Sequence, residues 1–213
     1  MIITIDGLRA TGKTTLSRMI SEQYNLKNFN TGAIYRCIAL KIINEDLNVD
    51  NIDELIKRIE NISINFIGDQ VILEDENVSE RIREEDISYF STKWATIKEI
   101  KILVRKIQRD FGEQYDLVIE GRDIGTVVFP EAEIKFYLYS DFETRVKRLY
   151  EERKGKEKVT YEEISANLKE VDNLDINHGN FIKPKDAIEI KTDELSIDEV
   201  FQIMIKHINK KLL

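Results

Sequence analysis

Residues 7–14 read Gly7-Leu8-Arg9-Ala10-Thr11-Gly12-Lys13-Thr14 and match the pattern G-x-x-x-x-G-K-[ST]. The glycines let the backbone curl so that its N–H groups point at phosphate oxygens. In this pattern the lysine reaches the β- and γ-phosphates of a nucleotide, and the hydroxyl at the last position binds Mg²⁺. The segment therefore predicts a loop that binds ATP with Mg²⁺, in which Thr15 also takes part.

The residues on both sides of this loop give it the setting that the pattern requires. Residues 2–5 are mostly isoleucine, which is typical of a strand buried on both faces. Residues 16–24 carry apolar side chains at helical spacing. A helix that begins at the loop adds the positive end of its dipole to the phosphate site. The amino-terminal segment is therefore predicted to be a strand, a phosphate loop and a helix.

The alternation of strands and helices continues along the chain. Residues 117–119 and 134–138 predict two further strands, and an apolar stripe over residues 197–208 predicts a final helix. A hydroxyl residue followed three positions later by glutamate predicts a helix start. This spacing occurs three times, at Ser140/Glu143, Thr160/Glu163 and Ser196/Glu199. The pattern indicates an α/β fold in which a parallel sheet lies between layers of helices.

Two segments interrupt this alternation. Between residues 61 and 83 the apolar residues alternate, a turn is indicated at Gly68-Asp69, and a small β-hairpin is predicted. Residues 151–158 are almost entirely charged, so we expect a solvated, mobile segment there.

Composition limits the classes of function. The formal net charge of -8 argues against a nucleic acid polymer as partner, because phosphate contacts need concentrated lysine and arginine. Cys37 is the single cysteine, which excludes an intramolecular disulfide and fits a reducing compartment. No apolar run approaches the ~20 residues that span a bilayer, and the first residues do not resemble a signal peptide. We expect a cytoplasmic protein with no membrane partner.

Two further segments suit a second anionic ligand. Residues 30–36 place Thr31, a glycine and Arg36 where a helix is predicted to begin, and an arginine can bind a phosphate with two nitrogens. Residues 120–126 follow the strand at 117–119. Ligands of open α/β sheets bind at the carboxyl ends of the strands. The sequence thus favours a phosphate acceptor beside the nucleotide.

These motifs together resemble the bacterial cytidylate kinases. The similarity includes TIDGxxxxGKTT, NTGAIYR and VIEGRDIGTVVFPEAEIKFYL and extends over nearly the whole chain in the correct order. It implies a P-loop NTPase fold of the nucleoside monophosphate kinase type, which uses MgATP to phosphorylate CMP or dCMP. It further implies a monomer with a core of residues 1–34, 101–149 and 181–213, an acceptor-binding insertion of residues 35–100 and a lid of residues 150–180.

The resemblance also implies roles for individual residues. Lys13, Arg36, Arg122 and Arg148 would form the catalytic set. Thr14 and Glu120 would hold Mg²⁺, with Asp6 a weaker candidate. The acceptor nucleotide would be bound by Thr31, Arg36, Thr92, Lys101, Arg122, Asp123 and Asp175. Within that set, Thr92 and Asp123 would bind the amino group of cytosine, and Asp175 would bind the ribose hydroxyls.

The lid departs from the family pattern. Where the family has a run resembling R-D-x-x-D-x-x-R, this chain has Val171 and His178 at the arginine positions, and Leu174 where a further arginine often lies. The carboxylates Asp172 and Asp175 are retained. Losing a decisive arginine lowers a phosphoryl-transfer rate by about 10³–10⁵. Basic residues of the preceding helix, Arg145, Arg148 and Arg153, either restore part of this charge or coat a solvated face.

The acceptor site also departs from the family pattern, and these departures leave alternative functions open. Lys101 stands where the family has arginine, and lysine lacks the planar fork needed for bidentate recognition. Asn30 replaces a usual aspartate. The sequence favours an active cytidylate kinase. Its alternatives are a regulatory nucleotide-binding protein with little transferase activity and a kinase for a different small acceptor.

Overall fold

The computed structural model describes residues 1–68, 70–155, 158–177 and 181–212, with the backbone alone for Glu85. It divides the chain into two compact units. The first unit comprises Met1–Lys27 and Tyr115–Leu213, and the second comprises Asn28–Gln114. The second unit extends beyond both ends of the segment 35–100 that was predicted as an acceptor-binding insertion. The roles of the insertion and the lid stay predictions.

The regular elements follow one another in the predicted alternating manner. The strands are β1 (Ile2–Asp6), β2 (Lys27–Asn30), β3 (Ile64–Ile67), β4 (Gln70–Leu73), β5 (Glu76–Asn77), β6 (Leu117–Gly121), β7 (Ile134–Tyr139) and β8 (Ile188–Lys191). The α-helices are α1 (Lys13–Tyr24), α2 (Thr31–Asn44), α3 (Ile52–Ile59), α4 (Glu85–Trp94), α5 (Lys98–Gln114), α6 (Phe142–Arg153), α7 (Tyr161–Asn177) and α8 (Ile197–Leu212). Short helical turns lie at Arg81–Arg83 and Ile124–Val128.

The main sheet has the strand order β2-β6-β1-β7-β8. Strand β1 lies between β6 and β7 and pairs in parallel with both, so that Ile3 is opposite Val118 on one side and Ile134 on the other. In the same register Asp6 is opposite Gly121. Because adjacent parallel strands end at the same edge, the loop after β1 and the loop after β6 begin side by side.

The core of the first unit lies between this sheet and two helices. Leu16 and Ile20 of α1 and Met204 of α8 are fully buried against sheet residues such as Phe136. Burying a side chain of this size stabilises the fold by about 1.5–3 kcal/mol. A second apolar cluster joins α6 to α7 through Val146, Leu149, Ile164 and Leu168. These contacts confirm the α/β class and the amphipathic final helix.

The second unit combines helices with a small antiparallel sheet. Strands β3 and β4 form the predicted hairpin, with Phe66 opposite Val71, and β5 adds a short third strand. The part of the predicted turn at Asp69 lies outside the described residues. Helix α2 is held to this sheet by the buried Lys41, whose Nζ donates to Glu45 at 2.6 Å and to Glu74 at 2.7 Å.

Two of the three predicted helix caps are confirmed. The backbone of Thr160 donates to Glu163 at 2.8 Å while Glu163 N donates to the Thr160 hydroxyl at 3.2 Å. Ser196 and Glu199 form the same reciprocal pair at 2.8 and 3.3 Å.

The prediction of a cap by Ser140 and Glu143 is wrong, although α6 begins nearby. Asp141 is the residue before the helix, and the Ser140 hydroxyl donates instead to Asp193 at 3.1 Å. Asp193 also accepts from Asp141 N at 2.7 Å, so a distant carboxylate satisfies the start of the helix.

The charged segment 151–158 begins as the last turn of α6, which ends at Arg153. Glu151, Glu152 and Lys154 are exposed, as expected of a solvated segment. Its residues 156 and 157 lie outside the described residues. Among the helices described, none has the length and apolar character needed to cross a membrane.

Candidate active site

The phosphate loop occupies the turn between β1 and α1. Gly12, the residue before the helix, has a φ of 93°, which is a conformation that glycine adopts without strain. A methyl group on Gly7 would lie 2.3 Å from the backbone oxygen of Leu138, so the first glycine is required by a close approach of β7. The loop geometry therefore depends on the residue types that the motif prescribes.

The side chain of Lys13 is turned into this loop. Its Nζ donates to the carbonyl oxygen of Leu8 at 2.8 Å. The pKa of Lys13 is lowered to about 8, mainly by burial and also by the neighbouring Arg122, while Glu120 and Asp175 oppose the shift. A buried cation of this kind gains from a bound anion, because the anion compensates for the lost hydration. The site thus suits the phosphates of a nucleotide.

Thr14 and Glu120 form the pair of groups expected at a magnesium site. The Thr14 hydroxyl donates to Oε1 of Glu120 at 3.0 Å, and Glu120 lies at the end of β6. Both offer oxygen atoms, which Mg²⁺ prefers, and Mg²⁺ in nucleotide sites takes its other ligands from phosphates and water. Within the described residues no cluster of three acidic, histidine or cysteine side chains could hold a metal alone. The donor set fits Mg²⁺ that arrives with a nucleotide.

Asp6 has a different role in the structure. Its two carboxylate oxygens accept from Ile124 N at 2.8 Å and Gly125 N at 2.7 Å, and the side chain is fully buried. Burial raises its pKa to about 6, and the two backbone hydrogen bonds partly oppose this shift. Asp6 therefore fixes the backbone that follows Arg122 and Asp123.

Arg122 is bonded to the helix predicted as the lid. It follows the carboxyl end of β6, and its Nε donates to Oδ2 of Asp175 on α7. The two side chains retain 27% and 14% of their exposure, so the pair is only partly shielded from solvent. The structure thus brings Lys13, Thr14, Glu120, Arg122 and Asp175 together within the first unit.

A second and more buried ion pair joins α7 to α6. The two terminal nitrogens of Arg145 donate to the two carboxylate oxygens of Asp172 at 3.1 and 2.6 Å. Arg145 also donates to the backbone oxygen of Arg9 in the phosphate loop at 3.3 Å. Of the two alternatives for Arg145, the one in which it coats a solvated face is wrong, because its side chain is buried.

Arg148 also lies against the phosphate loop. Its guanidinium donates to the hydroxyl of Thr192 at 2.9 Å, to the Thr192 carbonyl and to the carbonyl of Ala10 at 3.4 Å. At the positions lacking a lid arginine, Val171 is buried and Leu174 is half-buried. His178 lies outside the described residues. The catalytic role of Arg148 stays a prediction.

The second unit holds the other predicted acceptor residues. Thr31 begins α2, and Asn30 caps the helix by accepting from Ala33 N at 2.9 Å, so the asparagine performs the function of a cap. Arg36 lies over Gly32, since a methyl group there would be 3.3 Å from its Nη1 atom. On the remaining helices Thr92 belongs to α4 and Lys101 to α5.

Gln108 is a residue that the sequence analysis did not identify. It is buried, and its Nε2 donates to the Thr31 hydroxyl at 2.8 Å. Gln108 follows Val104 by one helical turn on the buried face of α5. A polar residue in an apolar stripe is the signal that could have revealed it, since buried amides need partners.

Comparisons with known proteins connect this geometry to a family. The sequence model of the family described as Cytidylate kinase matches residues 3–210. Proteins named cytidylate kinase from Fusobacterium nucleatum and Clostridium tetani are 36% identical over 213 and 216 residues, which cover 99% and 100% of this chain and 98% and 96% of theirs. Shikimate kinase from Bacteroides thetaiotaomicron shares the fold, with a TM-score of 0.53, 12% identity and coverage of 100% of this chain and 98% of its own. The chain therefore belongs to the cytidylate kinase family, and it is a phosphotransferase of the nucleoside monophosphate kinase type.

Proposed function

We propose that the protein transfers the γ-phosphoryl group of ATP to the phosphate of CMP or dCMP, which yields CDP or dCDP. The observation that carries this proposal is the arrangement around the β1 and β6 strand ends, where Lys13 and the Thr14–Glu120 pair adjoin Arg122. The names of the curated relatives support cytidine nucleotides as the acceptors.

ATP would be bound by the phosphate loop, residues 7–15. Its backbone N–H groups and Lys13 would hold the phosphates, and Thr14 and Glu120 would hold Mg²⁺ directly or through water. When bound, Mg²⁺ neutralises the charge on the phosphate oxygens. Arg145 donates to the carbonyl of Arg9 and Arg148 to that of Ala10, so these arginines steady the loop from outside.

The acceptor phosphate would be bound by Arg36 and Arg122. A phosphate monoester is already ionised near neutral pH, so its oxygen attacks without a general base. Catalysis then consists of placing the two nucleotides in line and stabilising the transferring charge. Asp6 contributes to this placement because it fixes the backbone next to Arg122.

Recognition of cytosine would depend on hydrogen-bond acceptors. The Thr92 hydroxyl donates to the carbonyl of Ser88 at 3.0 Å, so its lone pairs are left to accept a hydrogen bond. The carboxylate of Asp123 is also an acceptor. Both groups suit the exocyclic amino group of cytosine and disfavour the carbonyl at the same position in uracil. Lys101 would add a positive charge to the site.

A second candidate function follows from the lid helix. Residues 161–177 contain no arginine, and the guanidinium groups of Arg145 and Arg148 are bonded to protein atoms. This arrangement favours a nucleotide-binding protein with slow transfer, or a kinase for a different small acceptor. The two candidates differ in whether ADP formation depends on CMP.

The decisive experiment measures initial rates of ADP formation from MgATP with CMP, dCMP, UMP, AMP, GMP or no acceptor. The proposal expects the fastest turnover with CMP or dCMP and none with the Lys13→Ala variant. A Thr92→Val variant, which keeps the shape of the side chain, should lose about 2–10-fold of the preference for CMP over UMP, because one hydrogen bond is lost. ATP binding without turnover of any acceptor would reject the kinase proposal in favour of the second candidate.

A further inference from the structure

The carboxyl-terminal half of α7 carries two carboxylates whose cations come from outside the helix. Asp172 and Asp175 are three residues apart and therefore lie on one face of the helix. The last turn of α7 contains no basic residue, and Val171 and Leu174 occupy neighbouring positions. Asp172 is paired with Arg145 of α6, and Asp175 with Arg122 after β6.

The two ion pairs are built differently. Arg145 binds both oxygens of Asp172 and also donates to the backbone oxygens of Arg9 and Ser140. The side chains of this pair are only 5% and 10% exposed. Arg122 instead reaches Asp175 through Nε in a more exposed pair. The buried two-point contact is suited to a structural role, whereas the single contact of the more exposed pair is better suited to an exchange of partners.

Asp175 also lies in the field of two cations. Besides its contact with Arg122, it is one of the acids that oppose the lowering of the Lys13 pKa. A phosphate monoester carries a charge of about −1.5 to −2 near neutral pH and accepts two parallel hydrogen bonds from an arginine. Asp175 therefore occupies Arg122, which is the arginine that binds the acceptor phosphate in the proposed function.

We propose that Asp175 is an internal competitor for the acceptor phosphate, and that it selects for acceptors that bring an anion to displace it from Arg122. This inference rests on the proposed function in one respect, the binding of the acceptor phosphate by Arg122. A phosphorylated acceptor replaces one negative charge with a larger one. A free nucleoside brings no anion, so displacing Asp175 would leave Arg122 only the weaker, more distant compensation of Glu120 and Asp172.

The test measures the binding of inorganic phosphate to protein saturated with MgADP, by titration calorimetry. MgADP fills the phosphate loop, so the added phosphate reports on Arg122. We expect Asp175→Asn to bind phosphate about tenfold more tightly than the wild type, and Arg122→Gln to lose the binding. Glu170→Gln is the matched control on the same helix, because its side chain is exposed, and it should not tighten binding. Unchanged or weaker binding by Asp175→Asn would overturn the inference, and Asp175→Ser provides a second variant should the first misfold.

A second titration separates this role from binding of the ribose. With 2′,3′-dideoxy-CMP the ribose hydroxyls are absent, so a residue that only binds ribose would have no effect on affinity. Competition predicts that Asp175→Asn tightens the binding of this analogue severalfold. An unchanged affinity for the analogue, combined with weaker binding of CMP, would assign Asp175 to the ribose alone. Because inorganic phosphate contains no base, the result of the first titration does not depend on whether CMP is the true acceptor.

Discussion

The buried ion pair between Arg145 and Asp172 permits a sharp test of how α7 is held. Asp172→Asn removes one charge and leaves Arg145, which is 5% exposed, beside a neutral amide. Removing one partner of a buried pair costs about 3–5 kcal/mol, because the remaining charge is uncompensated. For a protein of 150–250 residues each kcal/mol lowers the melting temperature by about 2–4 °C. We therefore expect melting to fall by at least about 6 °C.

The chain offers a matched control for this prediction. Arg81 and Asp86 form a similar two-point contact at 2.8 and 2.7 Å, but their side chains are 37% and 46% exposed. Exposed pairs contribute about 0–1 kcal/mol, so Asp86→Asn should have little effect. Thermal melting followed by circular dichroism measures the temperature shift of both variants, and urea denaturation measures their free energies of unfolding.

The double variant Arg145→Met/Asp172→Leu completes the test. It removes both charges from the buried site, and replacing a buried pair with apolar side chains is often neutral or stabilising. We expect it to be more stable than Asp172→Asn alone. A loss below about 1 kcal/mol for Asp172→Asn, equal to that of Asp86→Asn, would refute the argument that burial makes the loss of one partner costly.

Three further predictions concern single residues. Since the pKa of Asp6 is raised to about 6, its protonated form stabilises the fold below the unfolded carboxyl pKa of about 4, and this contribution is lost as the pH rises through 6. The free energy of unfolding of the wild type, relative to Asp6→Asn, should fall by about 2 kcal/mol between pH 4 and 7, at 1.36 kcal/mol for each pKa unit. Gly7→Ala places a methyl group 2.3 Å from the Leu138 oxygen and should cost about 1–3 kcal/mol and weaken ATP binding. Ser196→Ala removes a reciprocal cap with Glu199 and should cost about 1 kcal/mol in thermal melting.

Each of these has a result that would count against it. A pH-independent difference between wild type and Asp6→Asn would mean that the carboxyl is not perturbed by burial. For the glycine, Gly68→Ala is the comparison, because a methyl group there meets no atom within 4 Å although its φ is also positive. Unimpaired ATP binding by Gly7→Ala would show that the backbone of β7 moves to accommodate the methyl group. A stability unchanged in Ser196→Ala would mean that water replaces the cap.

Local patterns account for what the sequence predicts well. The phosphate loop is specified by residues within one turn, and the caps at Thr160 and Ser196 require only a partner three residues away. The same spacing at Ser140 gave a wrong prediction because Asp193, distant in sequence, binds the turn instead. Local rules hold where no tertiary contact competes for the same donors.

Tertiary contacts explain what the sequence could not show. Arg145 has the sequence context of an exposed helical residue, and only the docking of α7 reveals that it is buried. Asp6 precedes the phosphate loop, where a metal ligand is a reasonable prediction. Its carboxylate is instead bound by backbone N–H groups of residues more than a hundred positions later. Neither the partner nor the burial is encoded in the neighbouring residues.

The missing lid arginines have a consistent physical consequence in these contacts. A lid that carries arginines brings positive charge to the phosphates. The helix at residues 161–177 instead places Asp172 and Asp175 against arginines outside the helix. Asp172 anchors the helix through Arg145, which also donates to the backbone of the phosphate loop at Arg9. Asp175 meanwhile balances the charge of Arg122 until an anion arrives. On this proposal, displacement of Asp175 makes the charge of Arg122 available to the acceptor phosphate, beside the charge of Lys13.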